Sequence, residues 1–293
     1  MAASALRIGT IFPQTELGGD VGAVRAYGEK VNELGFTHIG VYDHVLGADP
    51  EIHKPWMGPY DVNTTFHEPF VLFGFLAAVA DVELVSEVFI LPQRQTALVA
   101  KQAIEVDLLT KGRFRLGVGV GWNEVEYEAL DKEFHNRGKR LDEQVEIMRA
   151  LWNEPVVTFD GTYEKITGAG LAPRPIQRPI PIWFGGRSRA AYERIGRTGD
   201  GWFPMTPPGE KLDRAKLTID AAAVAAGRDP KSIGMEGQVP WSADPDKLQR
   251  DVQRWHEGGA THVSVNTMAQ GFTNVDEHLA ALEQAASALG VRQ

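Results

Sequence analysis

Three consecutive stretches decide the fold: VELVSEVFI (Val82–Ile90), TALVAKQAIEVDLL (Thr96–Leu109) and RFRLGVGV (Arg113–Val120). The first and third are short and rich in apolar and β-branched residues, as buried strands are. The middle one contains neither Gly nor Pro, is long enough for a helix, and stops at Gly112. Strand, helix and strand at this spacing make a parallel pair joined by a right-handed crossover. The alternation continues toward the N-terminus. Leu6–Phe12 predicts a strand ended by Pro13, and Asp20 and Gly35 bracket a helix with Val24, Tyr27, Val31 and Leu34 on one face. Thr37–Tyr42 is the next strand, and a helix starts at Glu68–Pro69 and runs to about Ala80. Toward the C-terminus, a long helical region carries Leu141, Val145, Met148 and Trp152, and Pro155–Tyr163 forms a small β-excursion. Strands are expected at Ile180–Phe184, Gly201–Pro204, Ser232–Val239 and Thr261–Asn266. Helices are expected at Arg189–Arg197, Glu210–Ala226, Asp246–Glu257 and Asp276–Leu289. Eight such units predict an α/β chain forming one (β/α)8 TIM barrel over residues 1–293, with loop insertions at the C-terminal face of the strands. An open sheet of six or seven strands is the competing arrangement, because the sixth and seventh strands are weakly marked.

Composition narrows the function. The chain is 43% hydrophobic and 24% charged, with 30 Lys and Arg against 39 Asp and Glu, a formal charge of −9. An acidic chain without a basic run is a poor partner for nucleic acid or an anionic membrane. There is no Cys, which excludes disulfides, thiol nucleophiles and Cys-ligated metals. No apolar stretch is long enough to span a bilayer, and Met1–Arg7 lacks the pattern of a secretory signal, so the cytoplasm is the expected compartment.

In a barrel of this kind, chemistry sits at the C-terminal ends of the strands. That nominates Asp43–His44, Ser86–Glu87, Trp122–Asn123 and Gly185–Gly186–Arg187–Ser188. An imidazole with an ordinary pKa of about 6.5 exchanges a proton near neutral pH, and an adjacent carboxylate can tune it. The alternative is a polar pair that merely ends a strand. The Gly-Gly-Arg-Ser turn opens a helix, where small residues let a phosphate reach the amides and Arg187 adds charge; it also fits a plain strand-to-helix turn. Gly117, Gly119 and Gly121 remove side chains from one face, which allows either tight packing or room for a flat ring. The stretch Leu46–Phe66 is expected to cover the mouth, with Trp56, Tyr60, Phe66, His67 and Trp122 as pocket walls; it equally suits a dimer contact. His44, His53, His67 and Glu68 match no metal-ligand spacing, so no metal is expected, and no G-x-S-x-G elbow is present.

Glu68–Leu72 (EPFVL), Ile90–Gln102 (ILPQRQTALVAKQ), Leu116–Glu124 (LGVGVGWNE), Arg137–Glu143 (RGKRLDE) and Pro179–Gly186 (PIPIWFGG) together closely resemble the bacterial luciferase-like family. Within it they resemble the branch that uses the deazaflavin coenzyme F420. The similarity covers roughly Ile8 to Pro204. It implies a homodimeric barrel with a flavin-like ring in its mouth, and a non-proline cis peptide or bulge behind the ring at Ser86–Glu87. Glu87 departs from the small or apolar residues usual there. His44 then corresponds to the proton-transfer residue, Asp43 to a ring or substrate contact, Asn123 to a polar cofactor contact, and Gly185, Gly186, Arg187 and Ser188 to the phosphate turn. An acidic residue used by some members after the fourth strand has no direct counterpart; Trp122 stands there with Glu124 nearby. The sugar-phosphate dehydrogenase of the branch is therefore a poor guide to the substrate.

The resemblance leaves three readings. The first is F420-dependent hydride transfer to or from a small organic substrate, with Arg94 and Arg187 as candidates to meet the cofactor's anionic tail. The second is an FMN-dependent monooxygenase using O2 and supplied by a separate cofactor reductase. The third is a non-catalytic flavin-binding protein.

Overall fold

The computed structural model describes residues 5–291. Eight parallel strands form a closed ring. In chain order the elements begin with β1 (Arg7–Ile11), α1 (Val21–Leu34), β2 (His38–Val41), α2 (Pro69–Val79), β3 (Glu83–Ser86), its short continuation β4 (Phe89–Ile90), α3 (Thr96–Leu109) and β5 (Phe114–Gly119). Helices α4 (Glu124–Ala129) and α5 (Arg137–Asn153) follow, then the pair β6 (Val157–Asp160) and β7 (Lys165–Ala169). The barrel resumes with β8 (Ile182–Gly185), α6 (Arg189–Thr198), β9 (Gly201–Phe203), α7 (Glu210–Ala225), β10 (Gly234–Pro240), α8 (Pro245–Glu257), β11 (His262–Asn266) and α9 (Val275–Leu289). Around the ring, β1, β2, β3, β5, β8, β9, β10 and β11 pair in turn, and β11 closes on β1 with Arg7 opposite His262 and Ile11 opposite Asn266. The two weakly marked strands, β9 and β10, are present and parallel to their neighbours. The open-sheet alternative is thereby removed. Among the described residues no helix is long and apolar enough to cross a membrane.

Local chemistry explains the boundaries. The Asp20 carboxylate accepts from the amides of Gly22 and Ala23 at the start of α1, and Gly35 ends it in the left-handed region (φ 81°). Tyr27 is fully buried and donates from its hydroxyl to the Ile11 carbonyl at 2.9 Å, joining α1 to β1. The Glu68 side chain accepts from the Val71 amide, and Pro69 occupies the first turn of α2. The helical region after β5 is two helices rather than one, with Asp131 in the left-handed region (φ 54°) between them.

The expected third strand, Val82–Ile90, is interrupted at a cis peptide between Glu87 and Val88. This corrects the expected position, Ser86–Glu87, by one residue. The glycine series on β5 exists for this segment: a Cβ on Gly117 would lie 1.8 Å from the Ser86 carbonyl oxygen, one on Gly119 2.7 Å from Val88, and one on Gly121 2.8 Å from Ile90. The space is filled by neighbouring chain rather than left for a ring. Ser86 Oγ bonds both the carbonyl and the amide of Gly117 at 2.9 Å, locking the two strands where no side chain intervenes.

Gly117→Ala therefore forces backbone against backbone and is expected to cost at least about 3 kcal/mol by overpacking. Gly74→Ala, in α2 with nothing within 4 Å of the added methyl, should gain about 0.5–1 kcal/mol from helix propensity. Urea midpoints of the two variants check both signs.

Candidate active site

The end of β2 delivers two adjacent side chains to different places. His44 turns into the mouth, where its ring is flanked by Phe66, Tyr60 and Trp122 at centroid distances of 4.9, 5.3 and 5.7 Å. Asp43 turns inward: its carboxylate is met by Arg94 Nη2 at 2.7 Å and by the Ile90 amide at 3.3 Å. Burial raises the Asp43 pKa, although the Arg94 guanidinium opposes it. Arg94 also bonds Glu68 at 3.1 Å and lies over the Phe89 ring at 4.8 Å. It is therefore committed to the protein's own carboxylates, which corrects the expectation that it serves as a free cation for an anionic tail.

Glu126, in the first turn of α4, organises the site and was missed in the sequence. It is 1% exposed, stands 3.3 Å from His44 Nδ1, and accepts from the amides of Val45 and Leu46 and from Gln93 Nε2. Burial alone would raise its pKa, but His44 and the two amides outweigh it and hold Glu126 below its ordinary value. The carboxylate so fixed orients the imidazole and favours the proton on Nδ1. The available signal was Glu126 itself, three residues beyond the helix-capping Asn123. That spacing is the one expected of a capping box, which gives no hint of a histidine partner.

A cavity of about 380 Å³ opens beside His44, walled by Tyr60, Thr64, Phe66, Trp122 and the Asp61 segment. Trp56 stands behind Trp122 at 5.6 Å and donates to the Tyr60 carbonyl at 3.0 Å. Gly58 is required there, since a Cβ would sit 2.4 Å from the Trp122 ring. His67 lies outside this wall; its amide donates to Gln14 and its ring packs on Phe12. Asn123 is 4% exposed and engaged at both ends, capping α4 through Val125 N and donating to the Leu46 carbonyl. Ser86 and Glu87 face the barrel wall and interior, and half-buried Val88 lies between Gly119 and Gly185 and packs on Val85, Trp183 and Phe203.

Glu87 has a partner in the interior. Its carboxyl lies over Gly40, where a Cβ would be 2.1 Å away, and accepts from Gln238 at 2.6 Å; Gln238 in turn accepts from the Tyr42 hydroxyl at 2.7 Å. Burial and the nearby Glu236 charge push Glu87 well up, toward a neutral acid. Glu236 goes the other way. Burial opposes its charge, yet His38 at 2.7 Å and Arg115 at 2.7 Å hold it well below the ordinary range. Arg115 also bonds Glu83 at 2.9 Å, and His262 beside it is depressed to about 2 by burial and the Arg115 charge.

The turn after β8 leaves polar groups free at the start of α6. Ser188 caps α6 by accepting from Ala191 N, Gly186 adopts φ 149°, and Arg187 is exposed with no ion pair among the described residues. The amides of Arg189 and Ala190 have no acceptor among those residues either. These groups fit a phosphate. Among the described residues no cluster of His, Asp or Glu is placed to hold a metal.

The sequence profile of the luciferase-like monooxygenase family matches residues 6–292. An uncharacterised protein of Mycobacterium tuberculosis is 39% identical over 204 residues, 68% of this chain and 67% of its own. An F420-dependent glucose-6-phosphate dehydrogenase of Intrasporangium calvum is 29% identical over 240 residues, 77% of this chain and 67% of its own. Among solved structures, an F420-dependent secondary alcohol dehydrogenase in complex with an F420-acetone adduct superposes with a TM-score of 0.77 at 18% identity, covering 98% of this chain and 99% of that one. The monooxygenase RslO1 of Streptomyces bottropensis gives 0.75 at 20% identity, covering 97% and 98%. At these identities the two structures show the fold.

The interior charges predict the acid response. An unfolded His takes up a proton near pH 6.5, whereas folded His262 does not until about 2. Stability is therefore present above pH 6.5 and falls as pH drops below it, by up to about 1.4 kcal/mol per pH unit. Glu236, depressed in the fold, adds a further loss at lower pH as it protonates. Glu87, raised in the fold, works in the opposite direction over this range, so the comparison isolates His262. Between pH 7.5 and 5 the urea midpoint of His262→Asn should fall less, or rise more, than that of the unaltered protein, while lying below it at pH 7.5.

Proposed function

The chain belongs to the luciferase-like monooxygenase family, a family of oxidoreductases, and from that premise we propose that it is an F420-dependent enzyme moving a hydride between the deazaflavin and a small organic substrate. The observation that carries this reading is His44, held by buried Glu126 in an aromatic cavity, at the same rim as an anion-ready turn with an unpaired arginine. When bound, the cofactor supplies the hydride chemistry. The chain's residues do the rest. His44 gives a proton to, or takes one from, the substrate oxygen or carbon beside it, through Nε2. Glu126 keeps its Nδ1 side fixed, and Phe66, Tyr60 and Trp122 exclude water from the exchange. Gly185, Gly186, Arg187 and Ser188 hold the cofactor phosphate, and Val88 backs the ring. Asp43 acts by holding Arg94 and the Ile90 amide, a positioning part rather than a contact.

The substrate is small and uncharged. The cavity wall offers aromatic faces and the Asp61 carboxylate but no free cation, so a sugar phosphate would be desolvated without a counter-charge. The F420-dependent dehydrogenases among the sequence relatives favour the deazaflavin over FMN. Exposed Val71 and Leu98, on the adjacent helices α2 and α3, favour a homodimer through that face.

Titration with F420 and FMN in parallel, followed by tryptophan quenching, tests the cofactor. Micromolar binding of F420 with weaker FMN binding is expected, and FMN binding without F420 binding would sink the proposal. With F420 bound, His44→Ala should lower turnover by about 10²–10⁴ and leave the cofactor dissociation constant within about twofold. Glu126→Gln should give a smaller loss of the same kind.

A further inference from the structure

A second cavity, about 870 Å³ and larger than the one at His44, runs between α6 and α7 on the outside of the barrel. It exists because Gly196 lets the helices touch, a Cβ there falling 2.3 Å from the Ile219 carbonyl, while alanines such as Ala221, Ala222 and Ala225 leave the outer side open. Its charged lining is Arg189, Arg197, Lys211 and Arg214 against one carboxylate, Glu193, on a protein of net charge −9.

These cations are mostly unspent. Lys211 makes no ion pair with any described residue, and Arg214 reaches only Glu210, at 3.9 Å with both side chains exposed. Arg197 is 3.6 Å from Asp142, and Arg189 alone has a close partner, Glu193 at 2.8 Å. The groove begins where the phosphate turn ends. Arg189 and Tyr192 line it one and four residues beyond Ser188, and Arg187 lies near enough to act on the Tyr192 hydroxyl.

We propose that the α6–α7 groove holds the anionic tail of the cofactor after its phosphate leaves the turn at Gly185–Ser188, an inference that rests on the F420 reading. Elsewhere an acidic surface repels a chain of carboxylates, and this basic track is continuous with the turn. FMN ends at its phosphate and has no use for the track.

Three probes test this on the intact protein: F420 with its full tail, F420 cut back to its phosphate, and the phosphate-free deazaflavin chromophore, each titrated by fluorescence. At low salt the full-tail form should bind about tenfold more tightly than the cut-back form, and about 0.5 M NaCl should shrink that advantage to within about twofold. The double variant Lys211→Gln, Arg214→Gln, at two exposed positions, should abolish the advantage and leave the cut-back form's affinity unchanged. Equal binding of full-tail and cut-back forms to the unaltered protein would overturn the groove assignment and leave the F420 reading standing. An advantage that survives both salt and the double variant would also overturn it. Binding of FMN with no binding of any deazaflavin would overturn the F420 reading, and the groove with it.

Discussion

The barrel is held across its axis by the contact of Arg115 with Glu236. Arg115 stands on β5 and Glu236 on β10, separated in the ring by β8 and β9. Glu236 also takes His38 from β2 and Ser264 from β11, and Arg115 takes Glu83 from β3. Five strands thus converge on one ion pair. Burying two charges is costly, and only good geometry with every lone pair used offsets the cost. Glu236 accepts from three partners, His38 and Ser264 on one oxygen and Arg115 on the other. Arg115 further stacks over Trp183 at 4.4 Å, where the aromatic face supplies what solvent would have.

The layer above depends on this one. Burial, and after it the charge that Glu236 keeps close by, drive Glu87 toward its neutral form, and it sits over Gly40 against Gln238. Gln238 then fixes the Tyr42 hydroxyl, and Asn266 donates to the same oxygen at 3.3 Å. The residues immediately beyond Tyr42 are Asp43 and His44. The site at the mouth therefore rests on a hydrogen-bonded floor that adjoins the Arg115–Glu236 pair.

Much of the architecture was legible in the sequence because it is written in local signals: strand-length apolar runs, capping residues such as Asp20 and Glu68, and glycines at helix ends. The position of His44 and of the Gly185–Ser188 turn at the ends of β2 and β8 was legible for the same reason, since strand ends in a barrel have a known place. What stayed hidden depends on contacts distant in sequence. Glu126 meets His44 across 82 positions, and Arg94 meets Asp43 across 51; no periodicity records such pairings. The glycines of β5 could be read in two ways, as packing or as room for a ligand, because a missing side chain does not say what fills its place. The cis peptide fell one residue from its expected position because Ser86 completes β3 in register with Val41, so the break follows it.

Glu126 clasps the amides of Val45 and Leu46 as well as His44. The root of the long loop over the mouth is therefore pinned by the same carboxylate that sets the imidazole, while the loop's far part exposes Ile52 and Met57 to solvent at 75% and 87%. On the proposed reading of His44, the loop thus has an inner portion tied to proton transfer and an outer portion that meets the pocket through Trp56 and Gly58 and leaves side chains such as Ile52 and Met57 in solvent. Such a division is modular: the solvent-facing parts of the loop can drift, lengthen or be exchanged during evolution without disturbing the carboxylate that pins its root and orients His44.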